Sequence, residues 1–242
     1  AVLSPHVSVI MGVRREANMC GRYSLSVEMK ELLAYFGLIE LGFDYNPRYN
    51  IAPGQDIPAV IARQGRLRSG TLRWGLVPSW AKDPSIGNKL LNARAETAAE
   101  KPSFSGSFRR KRCVIPADGF YEWRKLPDGR KQPMRIHLKD IPLFAMAGLY
   151  DTWIRPDGSK LHTCTILTTE PNELMASIHN RMPVILHKEQ IMDWLDPEIS
   201  DVGRLQEMLR PFPADRMTAY AVKTTVNNVK NDCIDCILPV EA

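Results

Sequence analysis

No stretch of the 242 residues approaches the ~20 consecutive apolar positions that a membrane-spanning helix requires, which excludes a helical membrane protein. Five cysteines are too few for a disulfide framework at this length, and no secretory signal precedes the fold. A reducing, cytoplasmic setting is therefore expected. The signatures of common chemistries are also missing: there is no phosphate-binding glycine loop, no HExxH, no GxSxG and no deaminase HxE with paired cysteines. Cys233-Ile234-Asp235-Cys236 is a lone CxxC. A zinc site needs two more ligands, no second CxxC or HxH supplies them, and no metal is expected.

What is present is a globular composition, 44% hydrophobic and 24% charged, sufficient for one sizeable core. A net charge of +5 permits a polyanionic partner without requiring one. The densest basic run, Arg109-Arg110-Lys111-Arg112, reads equally as a phosphate contact or as a solvated turn. Cys113 and Cys164 lie in apolar segments and read as small buried hydrophobes.

Antiparallel sheet dominates the expected structure. Strands are expected at 57–62, 71–77, 113–116, 120–123 and 143–149, with a last one at 218–223. Asp128-Gly129 and Pro156-Asp157-Gly158 mark two hairpins. Met29, Leu32, Leu33 and Phe36 fall at helical spacing between a cap at Ser26 and a stop at Gly37. Further helices are expected near 171–178, 188–195 and 201–209, the last capped by Ser200. With no βαβ rhythm and no internal repeat, the fold class is α+β built on antiparallel sheet. Residues 1–18 read as a leader, a tag or an upstream start, and 19–242 as a single domain.

The dipeptide Met19-Cys20 carries the most specific chemistry. Removal of what precedes Cys20 exposes an α-amine and a thiol on adjacent carbons. The amine condenses with an aldehyde to an imine, and the thiol closes on that imine to give a thiazolidine. An α-amine titrates near pKa 7.7–8.0 and a free cysteine near 8.5, so a small downward shift is expected to suffice for thiolate formation. Three polar residues in apolar surroundings complete a set suited to this reaction. Asn92 follows two leucines, Glu122 stands among Phe120, Tyr121 and Trp123, and His179 ends an expected helix before Pro183. Each alone reads as structural. Together they offer a carboxyl of raised pKa to protonate a departing oxygen, an imidazole that titrates near neutrality and an amide that does not titrate.

The chain resembles the SOS response-associated peptidase, or SRAP, family of abasic-site-processing proteins. The resemblance runs from Met19 to about Pro239 and rests on Met19-Cys20-Gly21-Arg22, Arg48-Tyr49-Asn50-Ile51-Ala52-Pro53-Gly54, Trp74-Gly75-Leu76-Val77-Pro78-Ser79-Trp80, Asn92-Ala93-Arg94-Ala95-Glu96-Thr97, Gly119-Phe120-Tyr121-Glu122-Trp123, His179-Asn180-Arg181-Met182-Pro183 and Asn228-Val229-Lys230-Asn231. It implies antiparallel sheets curled into a barrel-like core with flanking helices. It also implies binding of single-stranded DNA at an abasic site and a covalent thiazolidine link through N-terminal Cys20, without a cofactor. On this resemblance Cys20 is the nucleophile, Asn92 holds its amine, Glu122 transfers protons and His179 faces the deoxyribose. Arg22, Arg94 and Arg181 would meet phosphates, and Trp80 and Trp123 would stack on bases or else pack in the core. A monomer is expected, cytoplasmic and nucleoid-associated when bound to DNA. Two other functions fit the same residues: a peptidase that cuts itself at Met19-Cys20, and a non-covalent reader of single-stranded or modified DNA.

Overall fold

The computed structural model describes residues 20–240, so the expectation for residues 1–18 lies outside the described residues. In chain order the elements are β1 (Tyr23–Leu25), α1 (Met29–Phe36), β2 (Arg48–Ile51), β3 (Asp56–Arg63), β4 (Arg66–Trp74), β5 (Asn92–Arg94), α2 (Ala95–Ala98), α3 (Ser105–Arg110), β6 (Arg112–Ala117), β7 (Gly119–Lys125), β8 (Lys131–Leu138), β9 (Phe144–Ile154), β10 (Lys160–Thr169), α4 (Glu173–Ala176), β11 (Met182–Pro183), β12 (Ile185–Leu186), α5 (Ile191–Leu195), α6 (Val202–Glu207) and β13 (Met217–Ala221). Among the described residues no helix is long and apolar enough to cross a membrane.

The architecture is α+β. β4 pairs with β3, β3 with β6, β6 with β9, β9 with β10, and β10 returns to β4, which closes a five-stranded barrel. Closure leaves these strands no free edge at the seam. A second, antiparallel sheet in the order β13-β8-β7-β1-β2 packs on the barrel through a shared apolar cluster that includes Tyr23, Leu25, Phe120 and Ile136 as well as Trp74, Val114 and Leu149. Strands of the barrel are buried on both faces where helices cover them. Every residue of β6 is buried, and its run Cys113-Val114-Ile115 shows no polar alternation.

Both expected hairpins form. Gly129 (φ 84°) turns β7 into β8, and Gly158 (φ 82°) turns β9 into β10, while Asp157 accepts the Ser159 N–H at 2.8 Å. The expected core of antiparallel sheet curled into a barrel forms, and one strand adds parallel pairing to it: β10 lies parallel to β4 and to β5. Those partners are about 70–90 positions away in sequence, with no turn between them to mark the contact.

Helix α1 begins and ends as its chemistry dictates, with one correction. Glu28, not Ser26, is the N-cap, in a reciprocal capping box with Glu31. The Ser26 hydroxyl is already committed to Asp118 at 2.6 Å. Gly37 ends the helix in the left-handed region (φ 64°), and Leu32 and Phe36 carry its buried face. Likewise α6 is capped by Asp201, which accepts the Arg204 N–H at 2.6 Å, rather than by Ser200.

The basic run at 109–112 divides. Arg112 is buried and donates to the carbonyls of Phe108, Arg109, Trp194, Asp196 and Ile199, which ties α3 to the chain around α5. Lys111 pairs with Asp151 at 2.6 Å, and only Arg109 and Arg110 remain exposed. Half of the run is therefore internal structure, neither a phosphate patch nor a solvated turn.

The connection from β4 to β5 is drawn against the barrel at two glycines. A Cβ on Gly75 (φ 135°) or on Gly87 would lie 2.7 Å from the other's carbonyl oxygen. The Gly75 N–H donates to the Cys164 carbonyl at 2.8 Å and the Val77 N–H to Thr163 Oγ1 at 2.8 Å. This connection delivers Asn92 to its place beside β10.

Candidate active site

Two strand pairings assemble the site. In the first, β1 lies against β7, and the Tyr121 N–H donates to the Arg22 carbonyl at 2.9 Å. Cys20, just ahead of β1, is thereby set beside Glu122. In the second, the end of β10 is flanked by β5 on one side and β11 on the other, with Asn92 opposite Ile166, Arg94 opposite Thr168 and Pro183 opposite Thr168. The segment 179–181 that leads into β11 therefore meets the residues that follow β5.

The Cys20 N–H donates to Glu122 Oε1 at 2.6 Å. Both residues are nearly sealed from solvent, at 5% and 2% exposure. Cys20 also holds φ at 46°, a left-handed conformation that is unusual for a residue with a side chain and is kept only where the surroundings enforce it. The other Glu122 oxygen, Oε2, lies 3.9 Å from His179 Nε2. His179 Nδ1 receives the Arg181 N–H at 3.2 Å, which turns Nε2 toward the carboxyl.

Burial governs the titration of this pair. It pushes the Glu122 carboxyl above the ordinary carboxylate range, while His179 pulls the other way. It also pushes the Cys20 thiol well above the usual cysteine value, and the neighbouring Glu122 adds to the shift. The expectation of an easily formed thiolate is corrected accordingly: Cys20 is held as a thiol beside an acid held toward its neutral form.

The remaining expected residues fall into distinct settings. Asn92 donates to the Ile166 carbonyl at 3.4 Å, and the one hydrogen on the Cys20 amide is taken by Glu122. Arg181 forks onto Glu96 at 2.6 and 2.8 Å and donates to the Thr168 carbonyl at 2.7 Å, so its guanidinium is largely spent inside the fold. Arg181 also holds the Glu96 carboxyl below the ordinary range through that hydrogen bond. Arg22 donates to Asn50 Oδ1 at 2.8 Å and to the Val226 carbonyl at 2.5 Å, and sits 5.7 Å from the centre of the Trp123 ring. Arg94 is exposed and forms no ion pair among the described residues. Trp80 is 59% exposed, so core packing does not account for it. Trp123 is half-buried, with its indole N–H donated to Asn227 Oδ1 at 2.8 Å.

Two residues that organise this surface were not singled out in the sequence. Asn50 is fully buried, and its side-chain amide donates to the carbonyls of Val226, Asn228 and Asn231 while its oxygen receives Arg22. Glu96 is the anion that occupies Arg181. Each stands inside a block quoted above, but its partners are 28 or more positions away and leave no local signature.

Comparison with known proteins finds relatives that match most of the chain. The chain is 50% identical over 221 residues to the abasic site processing protein YoqW of Bacillus subtilis (strain 168), covering 90% of this chain and 99% of that one. It is 36% identical over 229 residues to the abasic site processing protein HMCES of Gallus gallus, covering 81% of this chain and 67% of that one. A crystal structure of a Bacteroides thetaiotaomicron protein superposes with a TM-score of 0.82 at 30% identity, covering 92% of this chain and all of that one. The model of the SOS response associated peptidase (SRAP) family matches residues 19–229, and the chain belongs to that family.

Proposed function

We propose that this chain processes abasic sites in single-stranded DNA and captures the ring-opened aldehyde covalently through Cys20. The observation that carries the reading is the buried triad in which Glu122 holds the Cys20 nitrogen at 2.6 Å and faces His179 at 3.9 Å. The names of the relatives, abasic site processing proteins, point the same way. The reaction requires Cys20 to be N-terminal, because an amide nitrogen does not form an imine.

With the α-amine free, its nitrogen adds to the lesion aldehyde to give a carbinolamine. Glu122, kept toward its neutral form by burial, gives a proton to the hydroxyl, which departs as water and leaves the protonated imine beside the ionised carboxylate. The Cys20 sulfur then bonds to the carbon of the protonated imine, whose nitrogen keeps its hydrogen in the ring, and the thiol proton returns to the Glu122 carboxylate. The closed thiazolidine resists the hydrolysis that an open imine undergoes. His179, with Nε2 toward Glu122, relays protons between the carboxyl and the sugar. A free amine has more than one hydrogen, so Glu122 and Asn92 can both hold it. Arg94, exposed and unpaired with any carboxylate among the described residues, meets a phosphate, while Arg22 adds positive charge beside Trp123 and Arg181, neutralised by Glu96, holds the segment that carries His179. Trp80 and Trp123 offer ring faces to bases, each stack contributing ~1–3 kcal/mol.

A second reading, self-cleavage at Met19-Cys20, is favoured by one specific feature. The leaving nitrogen of that bond is the atom that lies 2.6 Å from Glu122, on a residue whose φ of 46° is strained. The two activities are sequential: cleavage supplies the amine that capture uses.

Protein trimmed to begin at Cys20, incubated with single-stranded DNA bearing one abasic site, should give a heat-stable shifted band on a denaturing gel. The band should vanish for Cys20→Ser and for a form that keeps residues 1–19. Absence of the band while the DNA still binds under native conditions would transfer the function to a non-covalent reader. Intact mass before and after incubation reports self-cleavage as a shortened chain.

A further inference from the structure

The CxxC near the C-terminus has no part in the chemistry above. Ile234–Cys236 is a 3-10 turn closed by the Cys236 N–H to the Cys233 carbonyl at 3.0 Å, a geometry in which residues three apart stand on the same side. Among the described residues no group of three or more His, Cys, Asp or Glu side chains is gathered for a metal. The two thiols differ in access. Cys233 is exposed, whereas Cys20, Cys113, Cys164 and Cys236 are all buried. Cys236 belongs to a small cluster with Tyr121, Val222 and Val226, against which Trp123 packs.

The pair is also wired to the proposed DNA face. The Cys236 thiol donates to the Asn231 carbonyl at 3.4 Å, and the Asn50 amide donates to the same oxygen at 2.6 Å. Asn50 in turn receives Arg22, whose second bond ends on Val226, Cys236's neighbour in the cluster.

We propose that Cys233 and Cys236 form a redox-modification site, a disulfide made by exchange with an oxidised low-molecular-weight thiol, whose closure loosens the seat of Arg22 and weakens the hold on single-stranded DNA. The coupling to DNA rests on the function proposed above; the disulfide does not. In the first step the exposed Cys233 sulfur attacks the small disulfide, a mixed disulfide forms, and one small thiol leaves with the Cys233 proton. In the second step the Cys236 sulfur attacks the Cys233 sulfur, the intramolecular S–S bond forms, and the second small thiol leaves with the Cys236 proton. Two protein thiols are oxidised and one small disulfide is reduced to two thiols. Closure removes the S–H donor from the Asn231 carbonyl and draws the Cys236 sulfur toward the exposed side, away from Val226.

The full chain equilibrated in glutathione buffers of graded redox poise, then quenched with an alkylating agent and cut with trypsin, tests both halves. Cleavage after Lys230 yields a peptide from Asn231 that carries both cysteines and no others. The expected result is a shift, as one unit and reversed by dithiothreitol, from a doubly alkylated peptide to an unalkylated one lighter by two hydrogens. In parallel, anisotropy with labelled intact single-stranded DNA should show affinity about tenfold lower for the oxidised chain, the scale of one charge-assisted contact. Cys233→Ser should hold the reduced affinity in every buffer. Double alkylation under the most oxidising condition overturns the disulfide. An oxidised chain with unchanged affinity overturns the coupling. A reduced chain that fails to bind DNA at all overturns the DNA reading and the coupling with it, while the mass result alone still decides the disulfide.

Discussion

Replacing Glu122 by glutamine separates proton transfer from positioning. The amide keeps the side chain's shape and an oxygen that accepts from the Cys20 nitrogen, now 2.6 Å away. The new NH2 takes the place of an oxygen 3.9 Å from His179 Nε2, beyond hydrogen-bond distance, so the ring keeps the bond it receives from the Arg181 N–H. What is lost is the transferable proton. A positioned general acid contributes ~10²–10⁴ in rate, or about 2.7–5.4 kcal/mol of barrier at 1.36 kcal/mol per tenfold. Single-turnover cross-linking by protein beginning at Cys20 should slow by that factor, with affinity for the unreacted strand unchanged.

The same substitution has a stability signature of determined sign. Burial raises the folded-state pKa of Glu122, so its favourable contribution is complete below the ordinary carboxylate value and is lost as pH rises through the raised one. At neutral pH the carboxylate therefore burdens the fold, and Glu122→Gln should melt at or above the wild-type temperature. In acid the two melting curves should converge. A cross-linking rate within about threefold of wild type would remove Glu122 as the acid. A loss of more than ~2 kcal/mol at neutral pH would show that Glu122 serves the fold as a paired anion, contrary to the reasoning.

Glu96→Gln should behave oppositely in pH: Arg181 depresses the Glu96 pKa, so the pair's contribution is present above the ordinary carboxylate value and lost as pH falls through the depressed one, and melting curves should differ at neutral pH and coincide in strong acid. Arg112→Met leaves several buried carbonyls without their donor and should cost about 3–5 kcal/mol in denaturant titrations, with cross-linking at folded concentrations retained. Trp80→Ala should weaken single-stranded DNA binding by ~1–3 kcal/mol without a change in melting temperature, because the ring is mostly exposed. Brief alkylation of the native chain should mark Cys233 well before Cys20, which mass spectrometry of the tryptic peptides resolves.

Local chemistry was legible in the sequence where the signal itself was local. The turn glycines at 129 and 158, the apolar spacing of α1 and its stop at Gly37 each act over a few residues, and each formed as expected. The caps of α1 and α6 were misplaced by one or two positions because Ser26 had a stronger partner in Asp118 and Asp201 outcompeted Ser200. Barrel closure came from the family resemblance and not from residue spacing, since the β4–β10 and β5–β10 contacts join distant segments without a turn. The site shows the same division. Asn92, Glu122 and His179 stood out as polar groups in unusual company and Cys20 as a masked aminothiol; the fold sets Cys20 and His179 against Glu122, while Asn92 turns to the Ile166 carbonyl. Arg181's engagement with Glu96, Arg22's with Asn50 and the internal use of Arg112 are tertiary pairings, and a count of basic residues says nothing of them.

The raised thiol of Cys20 looks at first unsuited to a nucleophile, yet it fits the order of events in the proposed capture. The amine must act first, and only then does sulfur have a carbon to attack. Once the imine exists, sulfur and carbon belong to one side chain and its adduct, and intramolecular reactions of this kind enjoy effective concentrations of ~10⁵–10⁸ M. Such a factor offsets a large deficit of thiolate. Burial therefore sacrifices reactivity toward every other electrophile while the one reaction that begins at the amine proceeds. Glu122 fits the same order, as an acid kept toward neutrality that first releases water from the carbinolamine and, once ionised, takes up the thiol proton. A surface cysteine of ordinary pKa would close the ring as well, but would be spent on oxidants and stray aldehydes before a lesion arrived.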